Sequence, residues 1–137
     1  MKSSDLLIII PAYNEEGSIQ SVVNNIIQNY SQYDYVIIND GSRDQTSEIC
    51  HNNGYNIIDL PVNLGLAGAF QTGLLYAYQY GYEKAVQFDA DGQHLPEYIA
   101  ALEEEIDKGN KMVIGSRFVT DKRPNSFRML GNTLISF

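Results

Sequence analysis

The sequence predicts an α/β fold, a three-layer α/β/α arrangement around a mainly parallel, Rossmann-like sheet, and three observations predict it. Short apolar runs recur along the chain, each is followed by a segment of helical spacing, and each run ends in a polar cluster rich in Asn, Asp and Gly. Alternation of this kind requires right-handed crossovers and a sheet covered on both faces.

Leu6 to Ile10 is a continuous apolar run closed by Pro11, the pattern of a strand buried on both faces. Ile19, Val22, Val23, Ile26, Ile27 and Tyr30 then recur at helical spacing, so a helix over about 16–30 should pack one stripe onto that strand. Tyr35 to Ile38 reads as the second strand, stopped by Asn39-Asp40-Gly41-Ser42 and followed by a short helix near Thr46 to His51. Tyr55 to Leu60 gives a third strand, and Asn63 to Gly68 a glycine-bearing loop feeding a helix with Phe70, Leu74, Leu75 and Tyr78. Ala85 to Phe88 is the fourth strand and ends in Asp89-Ala90-Asp91-Gly92. Pro96 suits a first helical turn, and Ile99, Leu102 and Ile106 supply that helix's buried face. Met112 to Ile114 is a fifth strand. Residues 1–120 are expected to form this core, and 121–137 a basic loop and an amphipathic helix carrying Phe127, Leu130, Leu134 and Phe137.

At 137 residues and 44% hydrophobic, the chain can bury one core. Its single cysteine, Cys50, excludes an internal disulfide and a multi-cysteine zinc site and reads as a buried apolar residue. No apolar run reaches the roughly 20 residues of a membrane span. A net charge of −8 argues against nucleic acid as a partner. The charge is uneven, however: from Lys108 onward six basic residues stand against one acid, Asp121.

In open α/β sheets, ligands bind beyond the carboxyl ends of the strands. Pro11 to Glu15, Asn39 to Ser42 and Asp89 to His94 all fall there, so three polar clusters converge on one rim. Asp89 and Asp91, one residue apart, can present oxygens to a hard divalent cation that also bridges a diphosphate; a solvated strand-end turn is the competing reading. Asp40 can accept from a base or ribose, or stabilise the bend at Gly41. Tyr13 can lay its ring against a heterocycle. Asn63 and Gly65 either bring backbone close to a ligand or serve a turn that needs glycine. His94 and Arg128 read as a structural contact and a solvated cation, and Tyr76, Tyr78, Tyr80 and Tyr82 as packing and surface cover. Arg117, just past a strand end, can clamp a phosphate with two hydrogen bonds. No G-x-G-x-x-G follows the first strand, which excludes a dinucleotide-binding oxidoreductase of the usual kind.

Four blocks in order resemble the family 2 glycosyltransferases: Pro11-Ala12-Tyr13-Asn14-Glu15-Glu16, Asn39-Asp40-Gly41-Ser42-Arg43-Asp44, Asn63-Leu64-Gly65 and Phe88-Asp89-Ala90-Asp91-Gly92-Gln93-His94-Leu95-Pro96-Glu97. Gly115-Ser116-Arg117-Phe118 is similar to the polyprenyl-phosphate hexose transferases within that family. The resemblance implies a GT-A nucleotide-sugar-binding domain. Pro11, Ala12, Tyr13, Glu15, Asp40, Asn63 and Gly65 would line the nucleotide-sugar site. Asp89, Ala90 and Asp91 would meet the diphosphate, and Asp89, Asp91 and Gln93 would hold Mg2+ or Mn2+. Asp91 and Arg117 would be catalytic.

The implied reaction is an inverting transfer from a nucleoside-diphosphate sugar to a polyprenyl phosphate or a cell-envelope saccharide. The alternative is a non-catalytic nucleotide-binding regulatory domain of the same fold. A hydroxyl acceptor requires a general base, a lipid phosphate does not, and no carboxylate after Asp91 is an obvious base. Members of the family are generally longer, so acceptor-side elements are expected beyond Phe137. The expected location is the cytoplasm, with the basic stretch meeting an anionic membrane surface in the full-length protein.

Overall fold

Leu6–Ala12 forms β1, a strand buried along its whole length at the centre of a six-stranded sheet in the computed structural model of the chain. The structure describes residues 2–90, 98–109, 112–115 and 132–136. The other elements are α1 (Ile19–Asn29), β2 (Asp34–Asn39), α2 (Thr46–Asn52), β3 (Ile57–Asp59), α3 (Gly65–Gln79), β4 (Lys84–Gln87), α4 (Tyr98–Asp107), β5 (Met112–Gly115) and β6 (Asn132–Ser136). The sheet order is β3-β2-β1-β4-β6-β5. The first four strands run parallel, with Ile9 opposite both Val36 and Gln87, and β6 pairs antiparallel with β4 and β5.

Strand alternation sorts the core into two layers. Leu6, Ile8, Ile10, Ile37, Val86 and Phe88 face α1, α2 and α4 through Val22, Val23, Ile26, Cys50, Ile99 and Leu102. Leu7, Ile9, Val36, Ile38 and Ala85 face α3. The expected three-layer architecture is therefore present. On the α3 side the contact is close because Ala69, Gly73 and Ala77 form the buried stripe of that helix. A Cβ at Gly73 would stand 2.3 Å from Cγ2 of Ile9, so only glycine lets α3 lie this near to β1.

The expected helix at the end of the chain is not found where the backbone is described: Asn132–Ser136 is strand β6. The physical reason lies in the sheet. Without a neighbour on that side, β4 would expose a row of N–H and C=O groups, and the segment with Leu134, Ile135 and Ser136 satisfies them from Lys84 to Val86. Edge pairing outweighs the helical spacing of Leu130 and Leu134. Leu130, Phe127, Phe137 and the basic loop 121–125 lie outside the described residues.

Candidate functional site

Three loops leave the carboxyl ends of β1, β2 and β4 on one rim, and hydrogen bonds tie them together. Between β1 and α1, Asn14 has φ 52, a positive value that a non-glycine residue adopts only when its surroundings fix it. Its N–H donates to Ser42 Oγ at 2.9 Å, and its Oδ1 accepts the Arg43 N–H at 2.9 Å. The next two N–H groups follow suit: Glu15 donates to Thr46 Oγ1 at 2.9 Å, and Glu16 to Asp44 Oδ2 at 3.1 Å. Burial tends to raise the Asp44 carboxyl. Hydrogen bonds from the Thr46 hydroxyl and N–H and from the Glu16 N–H outweigh it and hold the group below the ordinary carboxylate range.

Asp40 continues the frame from the end of β2. Its N–H donates to the Ala12 carbonyl at 2.8 Å, and its Oδ1 accepts the Leu64 N–H at 2.7 Å, while its own carbonyl accepts from Asn63 Nδ2 at 3.0 Å. Asn63 Oδ1 in turn accepts the Gly65 N–H at 3.1 Å, a local turn that starts α3. Gly41, at φ +71, could not carry a side chain: its Cβ would lie 2.7 Å from the Asn63 nitrogen. The third loop begins at Asp89, whose Oδ1 is 3.3 Å from Gln87 Nε2, and Ser18 Oγ donates to the Ala90 carbonyl at 2.6 Å.

These loops enclose a cleft of about 430 Å³ lined by Pro11, Ala12, Tyr13, Glu15, Asp40, Asn63, Gly65, Leu66, Asp89 and Ala90. Every described residue among the expected nucleotide-sugar contacts thus lines one cavity. Tyr13 is 45% exposed, a flat apolar face presented to whatever enters, whereas Asp40 is 4% exposed and anchored. Asp40 and Asn63 hold the loop together through these bonds, and both border the cleft. Gly65, at φ +82, serves the turn. Among the described lining residues there are three carboxylates and no cationic side chain.

Asp89 is the one expected metal ligand within the described residues. Asp91 and Gln93, with His94, Arg117 and Arg128, lie outside them. Among the described residues no three His, Cys, Asp or Glu side chains gather closely enough to hold an ion. The Asp89 carboxylate is nevertheless the hard oxygen donor that Mg2+ or Mn2+ takes, and it lines the cleft at a strand end that the sequence continues with Asp91.

Two kinds of residue escaped the sequence reading. Leu66 lines the cleft as the second residue of α3, a position that marks a helix start and nothing more specific. Ser42, Asp44, Thr46 and Ser18 hold the loops together. The Asp44-Gln45-Thr46 spacing announces a local helix-start turn, but its bonds to Glu15 and Glu16 bridge about thirty positions and carry no local signal.

The family model described as glycosyl transferase family 2 matches residues 7–135. The UDP-N-acetylglucosamine–dolichyl-phosphate N-acetylglucosaminyltransferase of Methanococcus voltae is 38% identical over 96% of this chain and 61% of its own length. The polyprenol monophosphomannose synthase of Mycolicibacterium smegmatis is 30% identical over 82% of this chain and 45% of its own. Among solved structures, glucosyl-3-phosphoglycerate synthase from Mycobacterium tuberculosis, in complex with Mn2+, uridine-diphosphate-glucose and phosphoglyceric acid, superposes with a TM-score of 0.72. It shares 20% identity and covers 96% of this chain and 56% of that one, a likeness of fold. The chain thus spans between about half and three-fifths of the length of these relatives.

Proposed function

The chain belongs to glycosyl transferase family 2, and from that membership we propose that it is the donor-binding part of an inverting glycosyltransferase that moves a sugar from a nucleoside-diphosphate sugar to a polyprenyl phosphate. The observation that carries the reading is the cleft itself. Four sequence blocks, from Pro11 to Asp89, meet around one cavity of about 430 Å³ at the carboxyl edge of the sheet. The acceptor class is supported by the two relatives whose names specify dolichyl phosphate and polyprenol.

In this reading Tyr13 stacks on the base and Asp40 accepts a hydrogen bond from base or ribose. Asp40 can do so because Leu64 engages only one of its oxygens, leaving acceptor capacity on a carboxylate already fixed in place. Asn63 and Gly65 let the loop backbone approach the nucleotide. Glu15, Asp40 and Asp89 make the lining acidic, which alone would repel a diphosphate. Asp89, with Asp91 and Gln93, would hold Mg2+ or Mn2+, which neutralises the charge left on the departing nucleoside diphosphate when it is bound. Arg117 would clamp the donor or acceptor phosphate.

The transfer is a single displacement. An acceptor oxygen forms the new bond at the anomeric carbon, and the bond to the diphosphate breaks with its electron pair leaving on the nucleotide. An acceptor phosphate is already anionic near neutral pH and needs no general base. The remaining length of the relatives is where further acceptor contacts would lie.

The test is ligand-dependent melting with UDP, GDP, dTDP and CDP, each with and without manganese. A binder at 100 times its Kd stabilises by about 2.7 kcal/mol, well within detection. We expect one base class to raise Tm in a manganese-dependent way, and Asp89→Ala to abolish the metal dependence. Equal, metal-independent responses to all four nucleotides in the unsubstituted chain would reject the reading.

A further inference from the structure

We infer that Ser18 is a positioning residue of the metal and diphosphate site, holding Ala90, the residue between Asp89 and Asp91, against the loop of Tyr13 and Glu15; the inference rests on the donor-site reading above. Ser18 occupies the N-cap position of α1, where a serine hydroxyl ordinarily accepts a hydrogen bond from one of the first helical N–H groups. Here it makes no such bond. The helix start is secured by other means, since the Glu15 carbonyl accepts the N–H groups of Ser18 at 3.1 Å and Ile19 at 2.9 Å.

The hydroxyl instead turns across the rim. Its Oγ lies 2.6 Å from the Ala90 carbonyl oxygen, 72 positions away in sequence, and 2.9 Å from Glu15 Oε2. The Ala90 carbonyl and the Glu15 carboxylate are both acceptors, so the single serine proton is shared between them in a forked arrangement, with the shorter contact to Ala90. Ala90 is 2% exposed, and a buried carbonyl acceptor requires a partner. One side chain thereby links a cleft-lining carboxylate of the first loop to the peptide between the two aspartates.

The geometry has a consequence for cation binding. Two carboxylates on either side of one residue can chelate a single ion only if the peptide between them keeps its orientation, and productive ligand geometry tolerates roughly 0.5 Å of error. Partners that orient metal ligands without touching the metal typically contribute 10–100-fold in affinity. Ser18 is placed to act in this way. Losing its hydroxyl removes no helix cap, so the fold should persist while the metal site loosens.

Manganese binding to the 137-residue chain, followed by electron paramagnetic resonance alone and with each of UDP, GDP, dTDP and CDP, tests this when paired with melting curves for each variant. Ser18→Ala should weaken manganese binding in the presence of the diphosphate that supports it in the unsubstituted chain about tenfold or more, with Tm lowered by no more than a few degrees. Ser18→Thr, which keeps the hydroxyl, should restore binding. If Ser18→Ala binds manganese as the unsubstituted chain does while Asp89→Ala does not, the positioning role is overturned and the donor-site reading stands. If Ser18→Ala loses binding only in proportion to the fraction unfolded, Ser18 is merely structural and the inference also fails. Failure of the unsubstituted chain to bind manganese with any of the four diphosphates, or full binding by Asp89→Ala, would remove the donor-site reading and this inference with it.

Discussion

The two ends of the sheet each hold a cleft bordered by tyrosine and aspartate, and they differ in what their polar groups have left to do. At the amino end the cleft is about 350 Å³ and is lined by Tyr33, Tyr35, Tyr76 and Tyr82 around Asp34 and Asn56. Asp34 there accepts hydrogen bonds from the Ser3 N–H at 2.7 Å, the Ser3 hydroxyl, the Ser4 N–H at 3.2 Å and the Tyr82 hydroxyl at 2.8 Å. Asn56 Nδ2 donates to the Tyr35 carbonyl at 2.9 Å and to the Tyr76 hydroxyl at 3.3 Å. At the carboxyl end, Asp40 accepts one such bond, from Leu64, and Tyr13 turns its ring to solvent. Size alone does not distinguish the two cavities. Unused hydrogen-bonding capacity on a fixed scaffold does, and it points to the carboxyl end as the one built for a ligand.

The sharpest way to break this comparison is to exchange the losses at the two aspartates. Asp34→Ala removes the acceptor of several bonds at once and should cost about 2–3 kcal/mol, a fall in Tm of roughly 6–12 °C for a chain of this size. Nucleotide binding should be unchanged wherever the variant remains folded. Asp40→Ala should cost only about 1 kcal/mol, the loss of its bond with Leu64, yet reduce nucleotide affinity by about tenfold or more through the lost contact to base or ribose. Thermal melting and calorimetry on both variants decide the matter. Equal binding losses at the two sites would erase the distinction.

A smaller effect is expected from Tyr13. Stacking of an aromatic side chain on a base is worth about 1–3 kcal/mol by alanine substitution. Tyr13→Ala should therefore weaken nucleotide binding roughly five- to one-hundredfold, with Tm within about 2 °C because the side chain is half exposed. Tyr13→Phe should bind normally. Tyr82→Phe at the opposite end should do the reverse, lowering Tm by a few degrees through its lost bond to Asp34 and leaving binding intact. Calorimetric titration with the nucleotide that raises Tm measures the first pair, and melting curves the second.

Much of this molecule was legible from periodicity. The run Leu6 to Ile10 and the stripe Ile19, Val22, Val23, Ile26 announced β1 and α1, and the polar residues ending β1, β2 and β4 announced the rim. Periodicity failed at β6, where five residues complete an exposed sheet edge that only the assembled fold presents. It overextended β3 as well. The apolar pattern starts that strand at Tyr55, whose ring instead belongs to the core under α1 and α2, with its hydroxyl donating to Asn24 Oδ1 at 2.6 Å. The site was readable where residue type and strand end coincide, as at Asp40 and Asp89. The bonds of Ser18, Ser42 and Thr46 were not, because they join positions brought together only by the sheet register.

The smallest predicted effect concerns acid, and it follows from carboxylates that hold structure rather than ligand. In Asp34, burial tends to raise the carboxyl and the bonds from Ser3, Tyr82 and Ser4 more than reverse it. In Asp59, burial is likewise outweighed, here by hydrogen bonds from Asn39, His51 and Ser47. With Asp44, three groups therefore lie below their ordinary values in the folded chain. A carboxyl lowered on folding contributes stability that is complete above its unfolded value, about 3.9 for aspartate, and that is lost as pH falls through the lowered folded value. Melting should thus vary little with these groups between about pH 5 and 7 and decline progressively below about pH 4. Asp34→Asn should flatten part of that decline, since the amide cannot titrate. Melting curves at half-unit steps of pH would show how much of the acid sensitivity belongs to Asp34 at the amino end of the sheet and how much to Asp44 and Asp59 at its carboxyl end.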